Sequence, residues 1–152
     1  MRISILCIGR ARGGPAVALY EDYIGRLPWP VQLQELEERR PLPTAARILR
    51  EAELLAAAIP KGAVTVALDE RGKAMSSTAF AKQLGAWIDQ GRGDVAFLIG
   101  GADGLAPALR DGADLVLALG PMTWPHLLVR PLLAEQLYRA HTILSGHPYH
   151  RG

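Results

Sequence analysis

The sequence predicts an α/β domain on a mainly parallel sheet, and three observations carry that expectation. Ile3–Ile8 (ISILCI), Ala63–Leu68 (AVTVAL) and Asp94–Ile99 (DVAFLI) are nearly continuous apolar runs, as strands covered on both faces require. Segments of helical period fill the gaps between them. Gly-rich or Pro-rich turns follow the strands, where ligands of parallel sheets gather.

Each element has a local reason. Ile3–Ile8 is too short an apolar run for a signal peptide and reads as the first strand. Ala16–Arg26 reads as a helix opened by Pro15 and stopped before Pro28 and Pro30. Val31–Leu36 alternates polar and apolar residues, which suits a strand near an edge. Thr44 is a candidate cap for a helix to about Ile59, with Ile48, Leu54, Leu55 and Ala58 on one face. After Ala63–Leu68, Ser76 or Ser77 is a candidate cap for Thr78–Gln90, which Gly91-Arg92-Gly93 ends. Asp94–Ile99 and Ala113–Leu119 supply two more strands. A last helix starts at about Leu127 or Leu132 and runs to Leu144, with Leu133, Leu137, Ala140 and Leu144 inward. The order is β-α-β-α-β-α-β-β-α in one domain spanning residues 1–152.

Composition narrows the setting. A hydrophobic content of 49% over 152 residues can build a sizeable core. No apolar run approaches the roughly 20 residues of a membrane span, so no membrane partner is expected. The single cysteine, Cys7, sits inside a strand with no cationic neighbour in sequence, which fits an inert thiol in a reduced, cytoplasmic protein. The net charge of +2 is ordinary, although 14 of the 17 basic residues are arginine, the better phosphate ligand.

Three loops after apolar strands hold the candidate chemistry: Leu68–Lys73, Gly100–Gly104 and Leu119–Pro125. Gly100-Gly101-x-x-Gly104 is neither a dinucleotide fingerprint nor a P-loop. Pro121 and Pro125 stiffen Met122-Thr123-Trp124, whose backbone could bond a purine, unless Trp124 simply packs in the core. The tail from Leu119 to Arg151 holds all four histidines, and after Asp114 its one acidic residue is Glu135. Arg130, Arg139 and Arg151 make this tail cationic. Glu135 and Arg139 stand i,i+4, the spacing of a plain ion pair. Tyr149, His150 and Arg151 combine a stacking surface, an imidazole and a phosphate donor, a mixture suited to a nucleobase, or else form a solvated terminus. His141, His147 and His150 lack helical spacing and a completing Cys or carboxylate pair, so no metal is expected. No nucleophile elbow accompanies them.

The segments LIGGADGL (Leu98–Leu105), MTWPHLLVRPLLAEQLYRA (Met122–Ala140) and HPYHR (His147–Arg151) resemble the ribosomal RNA large subunit methyltransferase H family. These are small SPOUT-class enzymes that methylate N3 of a pseudouridine in 23S rRNA. The likeness extends to the opening strand and to ALDERGK (Ala67–Lys73), so it covers essentially the whole chain, with Leu27–Arg47 the least distinctive part.

The resemblance implies a C-terminal trefoil knot, a rare exception to unknotted topology, and a homodimer in which each subunit completes the other's site. It implies S-adenosylmethionine held by Leu68, Gly100 and the loop Leu119, Gly120, Pro121, Met122, Thr123 and Trp124. The chemistry would rest on Glu135, Arg139, Tyr149, His150 and Arg151. Arg139 or a backbone amide would stabilise charge on the imide, and His150 or Glu135 would take its proton, directly or through water. The expected partner is 23S rRNA in an assembled ribosome. The competing readings are a SPOUT methyltransferase acting on another RNA base and a non-catalytic ribosome assembly factor. A nucleotide-binding oxidoreductase is more distant, since its fingerprint is missing.

Overall fold

The computed structural model describes residues 1–152. The elements in chain order are β1 (Arg2–Ile8), α1 (Pro15–Arg26), β2 (Val31–Leu36), α2 (Thr44–Ala58), β3 (Val64–Ala74), α3 (Ser77–Asp89), β4 (Asp94–Ile99), α4 (Pro107–Asp111), β5 (Leu115–Ala118) and α5 (His126–Ser145). The five strands form one sheet in the order β2-β1-β4-β3-β5, and every pairing is parallel. β2 lies at an edge, in line with its alternating sequence, while β4 is inserted between β1 and β3.

Strand alternation builds two cores. Ile3, Ile5 and Cys7 of β1, Val64 and Val66 of β3, and Val95, Phe97 and Ile99 of β4 share one face with α1, α3 and α5. Leu6, Ile8, Ala67, Ala96 and Leu98 share the other with Leu55 of α2 and Leu105. Residues of both parities are therefore apolar, which is why the runs are continuous.

Helix ends follow local chemistry. The Ser76 hydroxyl accepts from the Ala79 N–H at 3.1 Å to start α3. Gly146 ends α5 in the left-handed region at φ 74°. Thr44 is not a cap: it is the first residue of α2, Pro43 precedes it, and no side chain closes that end. The expected register breaks in three other places. β3 runs on to Ala74, because after an excursion at 69–72 the chain rejoins β5, with Leu68 and Lys73 both opposite Leu117. The strand read at Ala113–Leu119 is trimmed to Leu115–Ala118, and the five-residue α4, too short for any periodicity, precedes it. Leu144 lies half-exposed against Gly85 rather than in the core.

α5 begins at His126 and runs through Pro131 without a break. Pro131 removes one backbone donor, but Arg130, Pro131, Leu133 and Ala134 are all buried there. The helix leaves the β5 edge and reaches the opposite one. Arg130, 4% exposed, donates from Nη1 to Glu35 on β2 at 2.7 Å and from Nη2 to the Gly9 carbonyl at 2.9 Å. Arg130 also lies against Cys7, a cationic neighbour the sequence did not reveal, yet burial dominates and pushes that thiol up to about 12.

Burial opposes the charge of Glu35, but Arg130 and the Ala11 N–H outweigh it and hold its pKa below 4.5. A carboxylate depressed on folding stabilises the fold above its unfolded value and loses that contribution as pH falls through its folded value. Arg130→Met should therefore cost about 3 kcal/mol of unfolding free energy at neutral pH, by leaving a half-buried carboxylate short of its partner. Denaturant titrations at pH 7 and pH 3 should show a smaller loss in acid; equal losses would contradict this account.

Candidate active site

The carboxyl ends of β3, β4 and β5 open into a cavity of about 590 Å³, within the range of small-molecule sites. Its wall is made of the three loops singled out in the sequence. Leu68, Gly100, Leu119, Gly120, Met122, Thr123 and Trp124 line it, together with Leu105, Leu117, His126 and Val129; Pro121 is not part of the wall. His126 and Val129 were not anticipated there. They arrive because α5 starts directly behind the loop.

The loops are held by specific contacts. Leu119–Trp124 closes on itself, since the Trp124 indole N–H donates to the Leu119 carbonyl at 3.0 Å. Trp124 is 42% exposed, so it is a pocket wall and not a core residue. The Thr123 hydroxyl donates to Glu70, tying this loop to the β3 excursion. Gly120 sits at φ 97°, a conformation that suits glycine alone. A Cβ on Gly100 would stand 2.7 Å from the Gly104 carbonyl carbon, so the Gly100–Gly104 turn can fold flat only around glycine. Apolar Leu68, Ile99, Leu105 and Leu117 line it beside Asp69, Glu70, Arg71 and Asp103. Asp103 is paired with Arg47 at 2.7 Å and Asp69 lies 3.9 Å from Arg110, so the cavity offers an apolar surface beside charged groups.

A second cluster forms on the middle turns of α5, where the C-terminal residues return to it. Glu135 Oε1 accepts from Arg139 Nε at 2.9 Å, from Arg139 Nη2 at 2.6 Å and from the Tyr149 hydroxyl at 3.1 Å. Its Oε2 accepts from the Gln136 amide at 2.8 Å. Arg139 Nη1 meets His150 Nδ1 at 3.1 Å, and its guanidinium lies 4.9 Å from the Tyr149 ring centroid. Glu135 and Arg139 are thus more than a surface pair, and Tyr149 and His150 are docked rather than frayed. Arg151 is exposed and joins no contact in the cluster.

Burial raises the Tyr149 pKa, and its bonds to Tyr23 and Glu135 raise it further, so the phenol stays protonated as a donor. Glu135 raises the Arg139 pKa. Since Arg139 donates to Nδ1, a neutral His150 carries its proton on Nε2. The sequence reading missed Tyr23, Arg26 and Tyr138 here: Tyr138 packs edge-on to Tyr149 at 4.7 Å and Arg26 covers the Tyr23 ring at 5.2 Å. Their one signal was helical spacing on α1 and α5, which reads as core. His141 instead packs edge-on against Trp29 at 5.3 Å, and no three His, Cys, Asp or Glu side chains gather as metal ligands would.

Gly100→Ala should weaken by at least about tenfold the binding of the ligand this cavity takes, S-adenosylmethionine being the one the sequence resemblance implies, because the added Cβ forces the turn apart. Calorimetric titration with folding checked by circular dichroism measures this; unchanged affinity would show that the Gly100 turn does not shape the pocket.

A family model described as "Predicted SPOUT methyltransferase" matches residues 1–150. Ribosomal RNA large subunit methyltransferase H of Rhodospirillum centenum is 58% identical over 151 residues, with 99% of each chain covered. The protein of the same name from Paramagnetospirillum magneticum is 56% identical over the same span and coverage. Among solved structures, a probable methylase family protein from Haemophilus influenzae aligns at TM-score 0.62 and 12% identity, over 99% of this chain and 70% of that one. A probable methyltransferase from Bordetella pertussis aligns at TM-score 0.59 and 18% identity, over 91% and 95%. Those two likenesses establish the fold. The match to the family model and the identity to the relatives go further: this chain belongs to the SPOUT methyltransferases, in the group named ribosomal RNA large subunit methyltransferase H.

Proposed function

We propose that this chain transfers a methyl group from S-adenosylmethionine to N3 of a pseudouridine in the 23S rRNA of the assembled ribosome, as a homodimer of single knotted domains. The observation that carries the reading is the separation along α5. Val129 lines the pocket, and Arg139, ten positions further along the helix, holds the tail cluster. At 1.5 Å per residue that is about 15 Å, whereas reacting groups must approach to about 3–3.5 Å. None of the cluster's side chains lines its own chain's pocket. Two chains related by a twofold axis can each lend a tail to the other's pocket. Exposed Met122 and Trp124 in the pocket wall, with exposed Leu127 and Leu128 on the first turn of α5, offer an apolar surface for that contact.

The pocket suits S-adenosylmethionine. Leu68, Ile99, Leu105 and Leu117 would hold the adenine, Asp69, Glu70 and Asp103 would favour the cationic groups, and Arg71 would favour the carboxylate. When bound, the cofactor supplies an already activated methyl on a sulfonium. The protein's part is alignment and charge. Glu135, with both oxygens engaged, orients Arg139 and Tyr149 and is a poor proton acceptor. His150 Nε2–H and Arg139 are donors for the imide carbonyl on which charge builds as N3 loses its proton to water. Arg151, free and exposed, is suited to a phosphate of the RNA. Relatives named for the ribosomal large subunit support 23S rRNA as the substrate.

His150→Ala should lower kcat on ribosomes by about 100-fold, the scale of losing one donor to a developing oxyanion, with the S-adenosylmethionine affinity unchanged; unaltered kcat would remove His150 from the chemistry. The shared site has its own test. A doubly tagged heterodimer of Gly100→Ala and His150→Ala chains holds one intact pocket facing one intact tail, so it should regain about half of wild-type activity. A heterodimer as inactive as its parents would contradict sharing.

A further inference from the structure

The Gly100–Gly104 turn has a support outside the pocket. Arg47, Glu51 and Leu55 stand at i,i+4 spacing along α2, the helix on the sheet face opposite α1, α3 and α5. Leu55 is buried in the second core, Glu51 is 8% exposed one turn earlier, and Arg47 is half-buried at the head of the stripe. The stripe meets the turn. A Cβ on Gly101 would stand 3.1 Å from Glu51 Oε2 and 3.1 Å from Ile8 Cγ2, so the base of the turn is seated against both side chains. Arg47 Nε lies 3.8 Å from Glu51 Oε1, and its Nη2 donates to Asp103 Oδ2 at 2.7 Å. Ala102, Asp103 and Gly104 are exposed and Gly104 takes φ 79°, so this backbone has little of its own to stiffen it. One bond inside the turn, from the Gly104 N–H to the Gly101 carbonyl at 3.0 Å, closes it. The bond from Arg47 is the single side-chain hydrogen bond that ties it to another element. Asp103 lines the cofactor pocket, and its Oδ1 accepts from nothing in the chain.

We propose that Arg47, itself outside the pocket wall, is a positioning residue: it holds Asp103 so that the free Oδ1 takes the α-ammonium of S-adenosylmethionine. This rests on the reading of the pocket as an S-adenosylmethionine site. The orientation of the ligand follows from the wall. Ile99 and Leu105, which flank the turn, are 2% and 6% exposed and suit the adenine. Asp103 stands at the exposed rim, where the zwitterionic end of the ligand keeps its water. A carboxylate oxygen and an ammonium make a charge-assisted bond, and such a bond gains most when the acceptor is already in place. Arg47 occupies one oxygen of Asp103 and thereby fixes the side chain. Because the guanidinium is itself half in water, solvent screens it and the second oxygen keeps most of its charge.

Calorimetric titration of the whole chain with three probes tests this. S-adenosylmethionine carries both cationic groups, S-adenosylhomocysteine keeps the ammonium without the sulfonium charge, and 5′-methylthioadenosine lacks the amino-acid end. Arg47→Met keeps the aliphatic stem and removes the cation. It should weaken the first two probes by about fivefold and leave methylthioadenosine within about twofold of wild type. Asp103→Asn should show the same pattern with losses of about tenfold. Arg47→Lys should restore part of the affinity, since a shorter cation still reaches for the carboxylate. In the Asp103→Asn background, Arg47→Met should cost nothing further, because its effect runs through Asp103. Equal losses for all three probes would mean that the turn collapses as a whole, and would overturn the proposal. A loss confined to S-adenosylmethionine overturns it too, by setting Asp103 against the sulfonium. So does tighter binding by Arg47→Met, which would make Arg47 only a neutraliser of Asp103. If Arg47→Met does not fold, unchanged affinities of Asp103→Asn have the same force. If the wild type binds the probes but methylates no RNA, the methyl-transfer reading fails and the probe ratios still judge Arg47. If it binds none of them, both fall.

Discussion

Arg130 ties together parts of the chain that are far apart in sequence. It leaves the first turns of α5, crosses to the sheet edge opposite β5, and ends on Glu35 of β2 and the Gly9 carbonyl after β1. A buried ion pair of this kind adds little net stability, because desolvation offsets most of the attraction. Its effect is on register. Arg130 anchors the first turns of α5 to the far sheet edge. Those turns set His126 and Val129 in the pocket wall. The middle turns set Glu135 and Arg139 where the C-terminal residues return to meet them. The unpaired Nε is the cost of the arrangement.

The proposed homodimer gives that rigidity a use. α5 holds the pocket wall and the donor cluster at different positions along one helix, and a second copy would bring one chain's cluster to the other's pocket. The reading also gives the exposed apolar residues at the pocket mouth a purpose, since isolated chains gain nothing from keeping Met122 and Trp124 in water. It accounts for the engagement of Glu135 as well. A carboxylate with four donors around it serves to hold Arg139 and Tyr149 for a substrate that comes from elsewhere.

Much of the fold was legible in the sequence, for physical reasons. Strands buried on both faces must be apolar throughout, and β1, β3 and β4 announced themselves that way. The three loops at their carboxyl ends followed, and seven of the eight residues expected around the cofactor line one cavity. Strand order was not legible, because equally apolar strands carry no mark of which neighbours which; nothing local says that β4 inserts between β1 and β3. The return of β3 at Lys73 was hidden by the polar DERGK segment, and α4 by its brevity. At the tail, i,i+4 spacing revealed Glu135 with Arg139. The docking of Tyr149 and His150 onto that pair spans 14 and 11 residues and depends on the turn at Gly146. The Arg130–Glu35 contact spans 95 residues and lies beyond any local pattern.

The central claim is the transfer of a methyl group to one atom of one base, and the most direct measurement follows that group. Assembled ribosomes, isolated large subunits and bare 23S rRNA are each incubated with the protein and methyl-labelled S-adenosylmethionine, and the labelled nucleoside is identified by mass spectrometry. The account predicts label on N3 of a single pseudouridine, strongest with assembled ribosomes. Label on any other nucleoside, or no label despite measurable cofactor binding, would contradict it.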